Sequence, residues 1–171
     1  MTTPQDFDFE AWLEDADRPE RSVTVYQKAG LIADLDSLAE RIAASETDED
    51  VDGPSVGGGA GKLRAEYATL AQKFHESALT IRVQSLTKDE QREIGAEHKD
   101  LEAGDLGCEI LAAAITYPKV KPAQVKKLAR VIGDAQMDRI MKAYHQACSE
   151  VPEVSADFLP KPSSRGDGGE S

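Results

Sequence analysis

Apolar residues recur at helical spacing over most of the chain. Phe9, Trp12, Leu13 and Ala16 stand at i, i+3, i+4 and i+7, which predicts a short amphipathic helix with Glu10, Glu14 and Asp15 on its other faces. Pro19 closes it, because proline disfavours a helical residue before it. Ser22 to Gln27 alternates and is β-branched, so it predicts a strand. Gly30 opens a helix whose stripe is Leu31, Leu35, Leu38, Ala39 and Ile42. Residues 46–61, ETDEDVDGPSVGGGAG, are acidic and then glycine-rich, the pattern of a flexible loop. Leu63, Tyr67, Leu70, Ala71 and Phe74 mark a second helix, and the two together predict an antiparallel hairpin.

The period then changes. Leu79, Ile81 and Val83 alternate with Thr80, Arg82 and Gln84, as a half-buried strand does, and this strand is expected to pair with Val23–Tyr26. Two strands alone are marginal in water, so both helices of the hairpin are expected to cover them. Thr87 and Glu90 have the spacing of a capping box, which starts a polar helix that runs to about His98 with Ile94 as its strong apolar residue. A polar loop is expected over residues 100–107. Cys108 to Tyr117 is apolar nearly all round and predicts a central helix stopped before Pro118. Pro122 suits the first turn of the next helix, with Val125, Leu128, Ala129 and Ile132 as its stripe. Gly133 and Asp134 break it. Met137, Ile140, Met141, Tyr144 and Cys148 mark the last helix.

This pattern describes a mainly α chain with a minor two-stranded β element (α+β). Residues 1–21 form an acidic arm. Residues 22–150 form a helical domain, made of a β-α-α-β unit (22–86, with the loop at 46–61) and a helical bundle (87–150). Residues 151–171 are rich in Pro, Ser and Gly and are expected to be a disordered tail. The core is built from aliphatics and alanine, since aromatics are only 5% of the 171 residues.

Charge narrows the function. The net charge is −12, which argues against general binding of nucleic acid or of anionic membranes. The acidity is concentrated in residues 1–61, with 15 acidic and 4 basic side chains, whereas residues 118–150 carry 7 basic and 3 acidic ones. This asymmetry is that of two ends that pair, of separate partner surfaces, or of a simply solvated acidic loop and tail. No apolar run approaches the roughly 20 residues of a membrane-spanning helix, and the acidic start lacks a signal-peptide pattern. A cytoplasmic location is expected. Cys108 and Cys148 fall at apolar helical positions and are expected to be buried free thiols.

Candidate chemistry fails on spacing. Gly57 to Lys62 (GGGAGK) has Val56 where a phosphate-binding loop needs glycine, and Leu63 where it needs the hydroxyl that holds magnesium. His75-Glu76 begins like a zinc-protease motif, but Leu79 stands where the second histidine belongs. Asp48, Glu49, Asp50 and Asp52 lack the spaced ligands and closing glutamate of a calcium loop. Arg165-Gly166-Asp167 spells an integrin-binding tripeptide within a polar tail. No catalytic residue, cofactor or metal site is therefore expected. The profile is that of a protein that binds other proteins, through the acidic stripe of Phe9, Trp12 and Leu13 or through the basic segment, where Lys126 and Arg130 share a helical face.

The stretch FHESALTIRVQSLTKDEQREIGAEH, from Phe74 to His98, resembles the middle of tail assembly chaperones from long-tailed (siphovirus-type) phages of actinobacteria. A helix runs into Ser77, Leu79 and Thr80, then an alternating strand, a short polar helix and the Glu97-His98 pair. The apolar helix, Pro-bearing turn and helix pair of residues 110–148 are similar too, as are RSVTVYQ leading into LIADLDSLAERIA and the polar tail after Val154–Phe158. The resemblance spans roughly residues 20–164. It departs at Lys99, where the family often has proline, and in the long loop at 46–61.

The resemblance implies a protein without catalytic activity or cofactor. It would bind the tape measure protein in the host cell cytoplasm, keep it soluble while tail tube protein polymerises around it, and be missing from the mature virion. It also implies a longer form of the chain made by ribosomal frameshift, with Leu159-Pro160-Lys161 compatible with a slippery codon run. The longer form, the tail tube protein and further copies in a homo-oligomer are then expected partners. The competing reading is another phage assembly protein, a scaffold or head–tail adaptor.

Overall fold

A computed structural model describes residues 7–49 and 59–151. Residues 1–6 of the arm, the middle of the expected 46–61 loop, the expected tail from 152 on and the Leu159–Lys161 run lie outside the described residues. The described chain is mainly helical with a small antiparallel sheet. The elements run α1 (Phe9–Glu14), β1 (Glu20–Tyr26), α2 (Leu31–Glu49), α3 (Gly59–Glu76), β2 (Ala78–Gln84), α4 (Lys88–Glu97), α5 (Ala103–Ala114), β3 (Ile115–Tyr117), α6 (Pro122–Ile132) and α7 (Asp134–Ser149).

The sheet has three strands in the order β1-β2-β3, where the sequence pattern gave two. β1 and β2 pair antiparallel from Glu20 opposite Gln84 to Tyr26 opposite Ala78. Directly opposed side chains share a face, so Val23, Val25, Ile81 and Val83 point to one side together. Ser22, Thr24, Thr80 and Arg82 point to the other. The third strand is the end of the expected 108–117 helix. Ile115-Thr116-Tyr117 is β-branched and aromatic and precedes Pro118, which disfavours helical backbone in Tyr117; the Tyr117–Pro118 peptide bond is cis. Ile115 pairs with Val83, and its side chain is 1% exposed.

One hydrophobic core joins the sheet to the late helices. Val25, Ile81, Val83, Leu111, Ala114, Ile115, Val125, Ile140, Ala143 and Tyr144 form a buried cluster, with Leu128, Ile132, Met137 and Met141 packed around it. α7 lies across β1 and β2, and α5 packs on α6. Gly133 takes φ +78°, a left-handed conformation open to glycine at little cost, and turns α6 into α7. Burial pushes the Tyr144 hydroxyl above its ordinary range, with Cys148 beside it adding to the shift, and Gln91 donates to its oxygen at 3.1 Å.

The α2–α3 hairpin does not cover the sheet as expected. α2 and α3 pack on each other, and Leu38 and Ala60 are their buried side chains. The reason lies in the strands. Most of their apolar face is covered by α5, α6 and α7, and the opposite face is mainly hydroxyls and Arg82, with Tyr26 and Ala78 only at the hairpin end. The hairpin is thus an extension at the tip of the β1–β2 ribbon. Gln27 N–H donates to Ser77 C=O (3.0 Å) at its base, and Tyr26 stacks on Phe74 with ring centres 4.1 Å apart.

Other boundaries shift for local reasons. Helix extends over residues 46–49 and from Gly59, so the connection is shorter than 46–61; Arg64 pairs with Glu46 across the hairpin at 2.5 Å. α5 starts at Ala103 rather than Cys108, with Asp105 in its first turn, where the helix dipole favours an anion. The capping box at Thr87 and Glu90 forms as its spacing predicts. The cysteines are less buried than expected. Cys148 is exposed, because the inner positions of α7 are taken by Ala143 and Ala147, and Cys108 is half-buried on α5.

Candidate interaction surfaces

The acidic arm is built as its spacing predicts but is not packed. Asp8 caps α1, accepting from the N–H groups of Glu10 and Ala11 at 3.1 Å each. No residue of α1 is buried. Phe9 and Trp12 stack on each other at 5.9 Å, and both are more than half exposed. Leu13 is also exposed. Behind the arm the chain is anchored: Arg18 donates to both carboxylate oxygens of Glu90 (2.8 and 2.7 Å), and Ser85 N–H donates to Pro19 C=O. Arg18, with help from Thr87, holds the Glu90 carboxyl at about 2, well below the usual range.

The two cations singled out in the sequence share one flank of α6. Lys126 bonds Asp105 of α5 at 2.5 Å, which spends part of its charge inside the chain. Arg130 stands one turn later and is exposed. Phe9, Trp12 and Leu13 lie on a separate element, so the five residues do not form one site.

The opposite flank of α6 carries a feature that the sequence pattern did not reveal. An apolar cleft of about 160 Å³ runs between β2 and α6, lined by Leu79, Ile81, Pro118, Val120 and Leu128 among others. It shares Leu79 and Leu128 with a wider cleft of about 420 Å³ that continues past Val25, Val131 and Ile132 to Ser77 and Glu76. Val131 is 67% exposed. Lys127 stands three residues from Gln124 and four from Val131, hence beside the cleft; Lys119 and Lys121 flank Pro118 and Val120. No ion pair engages Lys119, Lys121 or Lys127 among the described residues. The signal available in the sequence was Val131, an apolar residue off the core stripe of an otherwise cationic helix face.

A third depression of about 190 Å³, between α5 and α6, gathers Asp105, Cys108, Glu109 and Lys126. Burial, and then the Asp105 carboxylate, push the Cys108 thiol up, away from the thiolate a nucleophile requires. His98 stands 3.7 Å from Glu109 at its rim. No three His, Cys, Asp or Glu side chains among the described residues converge as a metal site. No described helix is long and apolar enough to cross a membrane. No protein-family model, no curated protein and no solved structure matches the chain.

Proposed function

We propose that the chain is a non-catalytic assembly chaperone of a long-tailed phage, which binds the tape measure protein and keeps it soluble while the tail tube grows. The observation that carries this reading is apolar surface held open on a strongly acidic frame. No residue of the aromatic arm α1 is buried among the described residues, and the cleft along α6 is lined mainly by aliphatic side chains and open to solvent. A holdase needs such surface to engage an assembling chain, and net charge to keep the complex dispersed. The likeness of residues 20–164 to tail assembly chaperones supplies the client. The same reading places the protein in the host cytoplasm and outside the finished particle, with a frameshifted longer form as its companion.

Co-expression tests it. The tape measure protein encoded by the same genome should be insoluble alone and soluble with this chain, and the two should co-purify. Finding the chain as a stoichiometric component of purified virions, with no effect on tape measure solubility, would identify a scaffold or adaptor instead.

A further inference from the structure

The arm and the cleft are complementary to each other. α1 offers Phe9, Trp12 and Leu13 with Glu10, Glu14 and Asp15 alongside. The cleft offers Leu79, Leu128 and Val131, with Lys121 and Lys127 alongside. Glu76, the one acidic residue of the lining, is held by Gln72 (2.7 Å) at the far end. We infer that α1 of one copy docks in the β2–α6 cleft of a second copy, and that two chains exchange arms reciprocally. This goes beyond the proposed function and needs no client.

The chain's own arm is a poor occupant of its own cleft. Arg18 and Pro19 are fixed beside Glu90 and Ser85. Leu79 lies six residues along β2 from Ser85, about 20 Å at strand spacing. From Arg18 back to Glu14 the extended chain spans at most about 14 Å. The helical rise adds only about 3 Å to reach Trp12. Even Phe9, the far end of the stripe, comes level with Leu79 only with residues 14–18 fully extended, which leaves the arm no slack to lie along the wide cleft to Val131. A second copy carries no such tether, and reciprocal exchange closes as a two-fold dimer. Each contact is small, so the dimer is expected to be weak and salt-sensitive.

Sedimentation equilibrium of the purified full-length chain tests this. At low salt the wild type should dimerise with a dissociation constant of order 10–100 µM. Deletion of residues 1–14 should leave a monomer, and so should Val131→Asp. Lys121→Glu with Lys127→Glu should weaken the dimer about tenfold or more, the direction expected for opposed charges at close range. The deletion variant keeps a cleft and the Val131→Asp variant keeps an arm, so a mixed pair holds one contact in place of two and should associate at least about tenfold more weakly than wild type. Thermal melts establish that each variant is folded, as expected where no residue of α1 is buried and Val131, Lys121 and Lys127 are exposed.

A wild type that stays monomeric at several hundred micromolar (~0.5 mM, in the range of weak encounters) would overturn the inference. So would variants that self-associate like wild type, or a mixture of the two that associates as tightly as wild type, which one contact cannot do. Trp12 emission that shifts in a monomeric wild type when Val131 is changed would place the arm in its own cleft and overturn the second-copy occupant. All these measurements use the chain alone, so their failure is separate from failure of the client assignment.

Discussion

The side-chain amide of Gln136 binds both backbone groups of Tyr26. Its oxygen accepts from the Tyr26 N–H at 2.6 Å, and its nitrogen donates to the Tyr26 C=O at 3.0 Å. Tyr26 sits on the edge strand β1, whose outward backbone groups have no further strand to pair with. The amide, only 9% exposed on α7, stands in for that strand and fixes the last helix on the sheet edge. Gln136→Leu should leave the two Tyr26 groups without partners and cost about 1–3 kcal/mol. Urea denaturation measures the loss, and amide exchange at Tyr26 should accelerate. A change under about 0.5 kcal/mol, the level of a neutral surface substitution, would show that water replaces the amide without penalty.

Leu111 is the second test of the core. It is 3% exposed on α5, inside the cluster that joins β2, α6 and α7. Leu111→Ala should cost about 2–5 kcal/mol, the range for cavity-forming changes in a packed core. Leu101→Ala, in the exposed connection before α5, is the matched control and should move the midpoint little.

Acid should weaken the tie between the arm's root and α4. Arg18 and Thr87 hold the Glu90 carboxyl at about 2 in the folded chain, below the value near 4.3 of an unfolded glutamate. The folded state therefore favours the charged form. Its contribution is fully present above about pH 4.5 and is lost as pH falls toward 2. Glu90→Gln should flatten the stability–pH slope across that window relative to wild type. Equal slopes for the two proteins, measured by chemical denaturation at matched ionic strength, would refute the assignment.

The two thiols should react at different rates. Cys148 is exposed, whereas Cys108 is half-buried and pushed up by burial and by Asp105. A thiol reagent at neutral pH should label Cys148 at least about tenfold faster, because the thiolate is the reacting form. Cys148→Ser should abolish the fast phase and leave the slow one.

The sequence conveys what is local. Period and capping made β1, β2, the hairpin helices, α4, α6 and α7 readable, because each signal is local: the alternation at Leu79–Val83, the Thr87–Glu90 box, Pro122 at a helix start. β3 was hidden because three residues are too few to show a period, and Ile115 is equally at home in an apolar helix. Gln136 was hidden for another reason. A polar residue on α7 reads as solvent-facing until the edge strand it serves is known to lie beneath it. The β2–α6 cleft was illegible in the same way, since its two walls are some fifty residues apart in the chain.

The hairpin gives the last prediction. α2 and α3 pack on each other with Leu38 and Ala60 buried, and the β1–β2 ribbon closes below them with Gln27 N–H on Ser77 C=O. Replacing residues 28–76 by Asn-Gly should leave a two-residue turn of the kind that suits antiparallel strands. The losses at the joint are the Lys28 N–H bond to Ser77 Oγ, the Ser77 N–H and Oγ bonds to Phe74 C=O, and the Tyr26–Phe74 stack, the last worth about 0.5–1.5 kcal/mol. The shorter closing loop offsets part of this. The excised protein should fold cooperatively, with the amide spectrum of α5, α6 and α7 unchanged, since their main contacts are to the sheet, to α4 and to one another. Loss of that spectrum would mean that the hairpin supports the core. If the fold survives while tape measure solubility is lost, the hairpin itself carries client contacts. If both survive, the client surface lies on the arm and the α6 cleft.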